Sequence, residues 1–277
     1  MRRFEGKVVV VTGSGRPAGL GQAILQRFAD EGAACVVSDV GSGGEGLASS
    51  ADAAAVVADL EARGGPVRYQ PCDVADEAQC EALIASTIAA FGRIDVLVNN
   101  AGIGFLMKPL LDTSGADWDR VLDVNLKGAF LASRAAARQF IAQGPGTDGI
   151  AGRIINIASQ AAKSGFPHMA PYTASKHGMI GLTRSNAVEL GAHRITVNAV
   201  CPNHVTTGLG AAQNAYFSRL LGFDSVEAYL ANMRAKNPLG RPGLGSDTAA
   251  ACAWLASPDA VYVTGEALNV SGGEEMH

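Results

Sequence analysis

The chain has 277 residues, 48% of them apolar and 17% charged, enough to bury the core of one large α/β domain. Its net charge of −4 comes with no long basic run, which argues against nucleic acid or anionic lipid as a partner, and no apolar stretch has the length and purity of a membrane span. The five cysteines (Cys35, Cys72, Cys80, Cys201, Cys252) are scattered without a CxxC pair, and residues 1–6 carry three charges and no apolar run. Buried free thiols in a reducing compartment, no signal peptide, a cytoplasmic location and no metal site are therefore expected.

Residues 7–12 form a β-branched run of the kind found in buried parallel strands. A glycine-rich turn follows, with Gly13, Gly19, Leu20 and Gly21, and then an amphipathic stretch over residues 22–31. Strand, glycine turn and helix in that order let a backbone approach a pyrophosphate and hold it at a helix N-terminus. Residues 33–39 read as a second strand ending in Asp39, an acid 18 residues beyond Gly21. A carboxylate there is placed to accept from an adenosine ribose and to repel a 2′-phosphate, which favours NAD over NADP. Arg16, inside the glycine loop, opposes that preference.

Residues 41–50 read as a flexible Gly/Ser loop, 52–63 as a helix and 66–72 as a third strand leading to Asp73 and Val74. Asp73 is expected beside the adenine and Asp76 as a helix cap. A helix over 78–91 and a fourth strand over 94–98 lead to Asn99, Asn100, Ala101 and Gly102, where small residues let a flat ring approach. Residues 113–143 read as one long helical region. Within it Asn125 either kinks the helix and holds a water or is a satisfied core amide.

A fifth strand over 153–158 ends at Ser159, and Tyr172 and Lys176 follow at helical spacing. A hydroxyl, a phenol and an ammonium at a strand's carboxyl end suit proton transfer to an alcohol oxygen, the cation lowering the phenol's pKa. Taken alone, the Tyr172/Lys176 pair also fits chance on a solvated helix. The helix continues to residue 191, a sixth strand spans 195–200, and Pro202, Asn203 and His204 come after it. Asn203 can take a left-handed turn more easily than most residues. Residues 208–237 carry Leu209, Tyr216, Phe217, Leu220, Leu221, Phe223 and Tyr229, either as a packed helical pair or, as favoured here, as an apolar lid. A last helix over 247–256 and a last strand over 262–270 complete a single-domain, doubly wound Rossmann fold of about seven parallel strands with helices on both faces. The lid occupies about residues 203–237.

Together these motifs resemble the short-chain dehydrogenase/reductase family from residue 7 to residue 273. The resemblance rests on the glycine turn, Asp73-Val74, the Asn99–Gly102 run, Asn125, Ser159, Tyr172 with Lys176, and the Pro202 region. It implies a catalytic set of Asn125, Ser159, Tyr172 and Lys176. Tyr172 would be the acid–base, Lys176 would also bind the nicotinamide ribose, Ser159 would polarise the substrate oxygen, and Asn125 would position a water. It further implies a pyrophosphate cradle of Gly13, Gly19 and Gly21, an adenosine side lined by residues 99–102, carboxamide contacts from Val205 and Thr207, and a homotetramer paired through residues 115–143 and 171–191. The expected function is hydride transfer between NAD and a secondary alcohol or ketone. The apolar set Phe105, Leu106, Met107, Phe166 and Met169 suggests a bulky substrate. An NADP-dependent carbonyl reductase and a non-catalytic dinucleotide sensor are the alternatives. The chain departs from the family in its longer glycine loop and in Asn203, which stands where glycine is usual.

Overall fold

The structure, a computed structural model, describes residues 2–44, 47–203, 205 and 209–276. In chain order the main strands are β1 (Val8–Thr12), β2 (Ala34–Ser38), β5 (Val67–Tyr69), β6 (Val96–Asn99), β7 (Gly152–Ile157), β8 (Ile195–Pro202) and β9 (Ala267–Val270). They form one parallel sheet in the order β5-β2-β1-β6-β7-β8-β9. The order reverses beside β1, so the connections leaving the paired strands β1 and β6 run towards opposite edges and open a crevice above their carboxyl ends. The expected doubly wound α/β fold is the one observed.

Side-chain alternation explains why both faces are covered. Val9 and Val11 of β1 pack with Ile24, Leu25 and Phe28 of α1 (Leu20–Asp30), and with Cys252 and Leu255 of α9 (Gly245–Leu255). Val8 and Val10 point the other way, onto Leu83 of α3 (Glu77–Phe91) and Phe140 of α5 (Gly128–Gln143). Strands buried on two faces read as continuous apolar runs, as these do.

Several boundaries differ from the sequence expectation for local reasons. The supposed flexible loop after Asp39 contains a short antiparallel ribbon, β3 (Ser42–Gly44) with β4 (Leu47–Ser49). It leads into α2 (Ser50–Glu61), whose N-terminus is closed by a Ser49/Asp52 capping box. Asp76 caps α3 as expected, accepting from Gln79 N. The long helical region is broken into α4 (Gly115–Leu122), a π-helical turn (Asp123–Lys127) and α5. α6 (Ala170–Leu190) is one 21-residue helix that begins two residues before Tyr172. The 208–237 region is a helical pair, α7 (Leu209–Leu220) and α8 (Val226–Lys236). Its buried Phe217 and Tyr229 form a small separate core with Met169. Among the described residues no helix is long and apolar enough to cross a membrane.

Candidate active site

One cleft of about 900 Å³ runs across the carboxyl ends of the strands. At one end lies the glycine turn. Gly13 has φ of 63°, and a Cβ there would stand 2.6 Å from Ala101 Cα. A Cβ on Gly21 would stand 2.7 Å from Ser14 Cα, and one on Gly19 2.9 Å from Arg16 O. Only glycine fits these contacts. Gly19 is the N-cap of α1 and offers no side-chain cap, so the first-turn N–H groups at Leu20 and Gly21 remain available to an anion. Gly13, Gly19, Leu20 and Gly21 all line the cleft.

Asp39 lies next to this turn. Its Oδ2 accepts from Gly15 N and its Oδ1 from Val40 N, both at 2.9 Å. Gly15 was not anticipated as a site residue. A Cβ on it would meet Asp39 Cβ at 2.8 Å, so its glycine is what allows the loop to clasp the carboxylate. Arg16 also lines the cleft and lies near enough to Asp52 to lower that carboxyl, after the larger effects of the Ser49 hydrogen bonds. Asp73 and Val74 form the next part of the wall, with Asp73 Oδ1 accepting from Ala75 N at 3.0 Å.

Asn99 is not brought to the site. It follows Leu97 by two on β6 and so shares the face that looks towards α5. There its Nδ2 donates to Ser133 Oγ and Asn156 Oδ1, both at 2.8 Å. Asn100, on the opposite side, lines the cleft and ties the glycine turn to β6 by donating to Thr12 O (2.9 Å) and Gly13 O (2.8 Å). Ala101 and Gly102 lie on the cleft wall beside it.

The other end gathers Ser159, Tyr172 and Lys176. Ser159 caps a single 3₁₀ turn over Gln160–Ala162, its Oγ accepting from Ala161 N at 3.1 Å. Lys176 is 3% exposed and donates from Nζ to Ile157 O at 2.7 Å. That Nζ is 5.6 Å from the centroid of the Tyr172 ring. Burial pulls the Lys176 ammonium down to about 8. Burial also pushes the Tyr172 phenol above its ordinary value, and a hydrogen bond with Ser159 only partly offsets this. This differs from the expectation that the lysine lowers the phenol: in the protein alone, desolvation sets the direction and Ser159 is what opposes it.

Asn125 is fully buried in the π turn. Its Oδ1 accepts from Ile103 N (2.8 Å), and its Nδ2 donates to Ile103 O (3.0 Å) and Ser175 Oγ (3.1 Å). The helix is distorted there, and the amide is satisfied by protein groups. The distortion agrees with the expected kink, and the protein partners agree with the core-amide alternative. Gly102 separates it from the lysine: a Cβ on Gly102 would lie 3.4 Å from Asn125 Oδ1 and 3.7 Å from Lys176 Nζ.

Pro202 and Val205 line the cleft beyond β8, whereas Thr207 and His204 lie outside the described residues. Asn203 does not take a left-handed φ. Its Nδ2 instead donates to Ser271 O and Glu274 Oε2, each at 3.0 Å. Phe105, Phe166 and Met169 line the cleft as anticipated, joined by Phe217, Leu221 and Tyr229 from the helical pair. Met107 packs in the small core instead, and Leu106 is not part of the wall. Tyr216 turns to His168, with 2.7 Å between Tyr216 Oη and His168 Nδ1. Among the described residues no group of three or more His, Cys, Asp or Glu could hold a metal ion.

The chain matches, over residues 13–275, the family model described as enoyl-(acyl carrier protein) reductase. It belongs to the short-chain dehydrogenase/reductase family. A short-chain dehydrogenase/reductase of Armillaria gallica is 37% identical over 271 residues, covering 97% of this chain and 96% of the relative. The levodione reductase of Leifsonia aquatica is 36% identical over 273 residues, covering 98% and 95%. Among solved structures, an NAD⁺-bound xylitol dehydrogenase superposes with a TM-score of 0.87 at 32% identity, covering 98% of this chain and 100% of that one. The protein is thus an oxidoreductase of the dehydrogenase/reductase kind.

Proposed function

We propose that this protein is an NAD-dependent dehydrogenase/reductase that interconverts a secondary alcohol and its ketone, with a bulky, largely apolar substrate. The observation that carries the reading is the placement of two sets of groups in one cleft: Ser159, Tyr172 and Lys176 at one end, and the glycine turn with Asp39 at the other. The residues fit a dinucleotide. The glycines leave no room for side chains, the α1 N-terminus is uncapped, and Asp39 is braced by two N–H groups where a ribose would lie. The NAD⁺-bound state of the xylitol dehydrogenase is consistent with this.

When bound, the nicotinamide supplies or accepts the hydride. The protein's own groups manage the proton and the oxygen. Ser159 donates to the substrate oxygen and holds it against Tyr172. In reduction, Tyr172 gives its phenolic proton to that oxygen, and the resulting phenolate lies beside the Lys176 ammonium. A phenol held above its ordinary pKa is an acid at neutral pH, which suits the reductive direction. Oxidation requires the phenolate and so gains as pH rises. Asn125 acts by holding Ile103 and Ser175, which fixes the turn after β6 against α6.

The α7–α8 pair covers the substrate end as a lid, and Phe166, Phe217 and Leu221 provide its apolar wall. We also read the protein as a single catalytic domain, working as a homotetramer in the cytoplasm. The last point is supported by five buried, unpaired cysteines.

Replacing Tyr172 with phenylalanine tests the central claim. NADH-dependent reduction of a ketone such as 1-phenyl-1,2-propanedione should fall by about 10²–10⁴-fold, the usual share of a general acid. NADH binding, followed by nucleotide fluorescence, should persist. Unchanged turnover in the variant would remove the reading, and a protein that binds NADH but never turns over would favour the sensor.

A further inference from the structure

The C-terminal residues after β9 take no part in the reaction as drawn above, yet they converge on its machinery. Gly272 and Gly273 both have left-handed backbones, with φ of 63° and 90°. A Cβ on Gly272 would stand 2.4 Å from Asn237 Oδ1, and one on Gly273 2.9 Å from Pro238 Cγ. Glycine alone permits the chain to double back this close to the end of α8. Asn237 Nδ2 fastens the turn by donating to Ser271 O at 2.9 Å.

The returning chain then meets two segments of the active site. At the end of β8, Asn203 donates to Ser271 O and to Glu274 Oε2. At the Ser159 turn, Glu275 Oε1 accepts from Gln160 Nε2 at 3.0 Å and from Ser164 Oγ. The Glu275 carbonyl accepts in turn from Asn269 Nδ2 (3.1 Å) and Ser271 Oγ (3.2 Å), so its own position is held from below. Hydrogen bonds to a carboxylate are roughly twice as strong as neutral ones. Gln160 follows Ser159 directly and Ser164 ends the same short turn, with Ser164 N donating to Gln160 O at 3.1 Å. A single carboxylate thus grips both ends of the turn that presents the Ser159 hydroxyl.

We propose that Glu275 is a positioning residue for Ser159, acting through Gln160 and Ser164. With Asn203 and Asn237, the tail joins the Ser159 turn, the end of β8 and the foot of α8 into one unit. The catalytic part of this claim rests on the function proposed above. The mechanical part does not.

The test uses the full chain with Glu275→Ala and Glu275→Gln, the latter keeping an acceptor oxygen and the side-chain volume. Hydrogen–deuterium exchange should quicken over residues 159–165 in Glu275→Ala, stay at wild-type rates over 176–190, and return towards wild type in Glu275→Gln. With 1-phenyl-1,2-propanedione and NADH, kcat in Glu275→Ala should drop about tenfold, as expected when an oriented group is loosened. KM and the NADH dissociation constant should stay near wild type, and the glutamine variant should recover most of the loss. Unchanged exchange over 159–165 in the alanine variant overturns the proposal, whatever the turnover. So does a glutamine variant as impaired as alanine, because the acceptor would then be irrelevant. If exchange quickens and is rescued while the wild-type protein shows no NADH-dependent turnover, the strap stands and the proposed function falls.

Discussion

On the function proposed here Asp39 sets nucleotide choice, and both its oxygens accept from backbone N–H groups, which holds the carboxylate in one place. A 2′-phosphate would bring a second anion against it at short range, where repulsion is weakly screened. Asp39→Ala removes the repulsion and leaves Arg16 on the same wall. The ratio of NADPH to NADH affinity should rise at least about tenfold, equivalent to roughly 1.4 kcal/mol. Titration of both nucleotides checks this, and a ratio that does not move would promote Arg16 as the reader of the wild-type preference. Lys176 makes a separate claim about pH. Its amine falls from 10.5 to about 8 on folding. Between those values the unfolded chain binds a proton that the folded one has released, so stability from this group rises with pH across that window. Below about pH 8 the buried ammonium opposes folding by on the order of 3 kcal/mol. Lys176→Met lacks this titration. The melting temperature of the wild type relative to Lys176→Met should therefore climb from pH 8 to pH 10, whereas a constant difference would show that the lysine is not desolvated as described.

Among the elements, the β1 turn into α1 leaves little room for change. A Cβ on Gly21 meets backbone on two sides, Ser14 Cα at 2.7 Å and Gly13 O at 2.8 Å, and neither can step aside as a flexible side chain would. Gly21→Ala should therefore spread the turn and weaken NADH binding by about tenfold or more. The sheet itself should stay folded by circular dichroism. Intact NADH affinity would mean that the cradle is not formed by this turn. These strand and turn features were legible in the sequence because they depend on local pattern: β-branched runs, glycine placement, and the four-residue spacing of Tyr172 and Lys176 on α6. What was not legible depends on pairing across the chain. A kink at Asn125 was one of the two expectations, but its partners Ile103 and Ser175 are announced by no periodicity. Asn99 and Asn100 are identical in type, and only the register of β6 with β7 sends one into the core and the other to the cleft. The raised phenol of Tyr172 required the packing that buries it. The roles of Glu274 and Glu275 were not legible either, since nothing local shows that two left-handed glycines fold them back.

At the scale of the whole molecule, the outer face of α5 and α6 carries several exposed apolar side chains. Leu126, Phe130 and Leu182 surround a shallow groove floored by Gly178, and Phe130 is 41% exposed. Further along the same helices Ile141 and Val188 are exposed at 44% and 85%. An apolar strip of this kind on long helices is where a partner of the same sequence would be buried, as expected for the proposed tetramer. The groove also has a direct connection to catalysis. Its wall includes Asp123, Leu126 and Lys127, which belong to the π turn that carries Asn125, and its floor belongs to the helix that carries Tyr172 and Lys176. Covering the groove would therefore clamp the two elements that hold the proton-transfer groups. Phe130→Asp places a charge in the proposed contact without touching the cleft. Sedimentation should show a wild-type tetramer and a smaller species for the variant, and turnover of the smaller species should fall more than its NADH affinity. A variant that sediments as the wild type would remove this face from the interface. A smaller species with full turnover would show that the clamp comes from within one chain, through the Asn125 bonds alone.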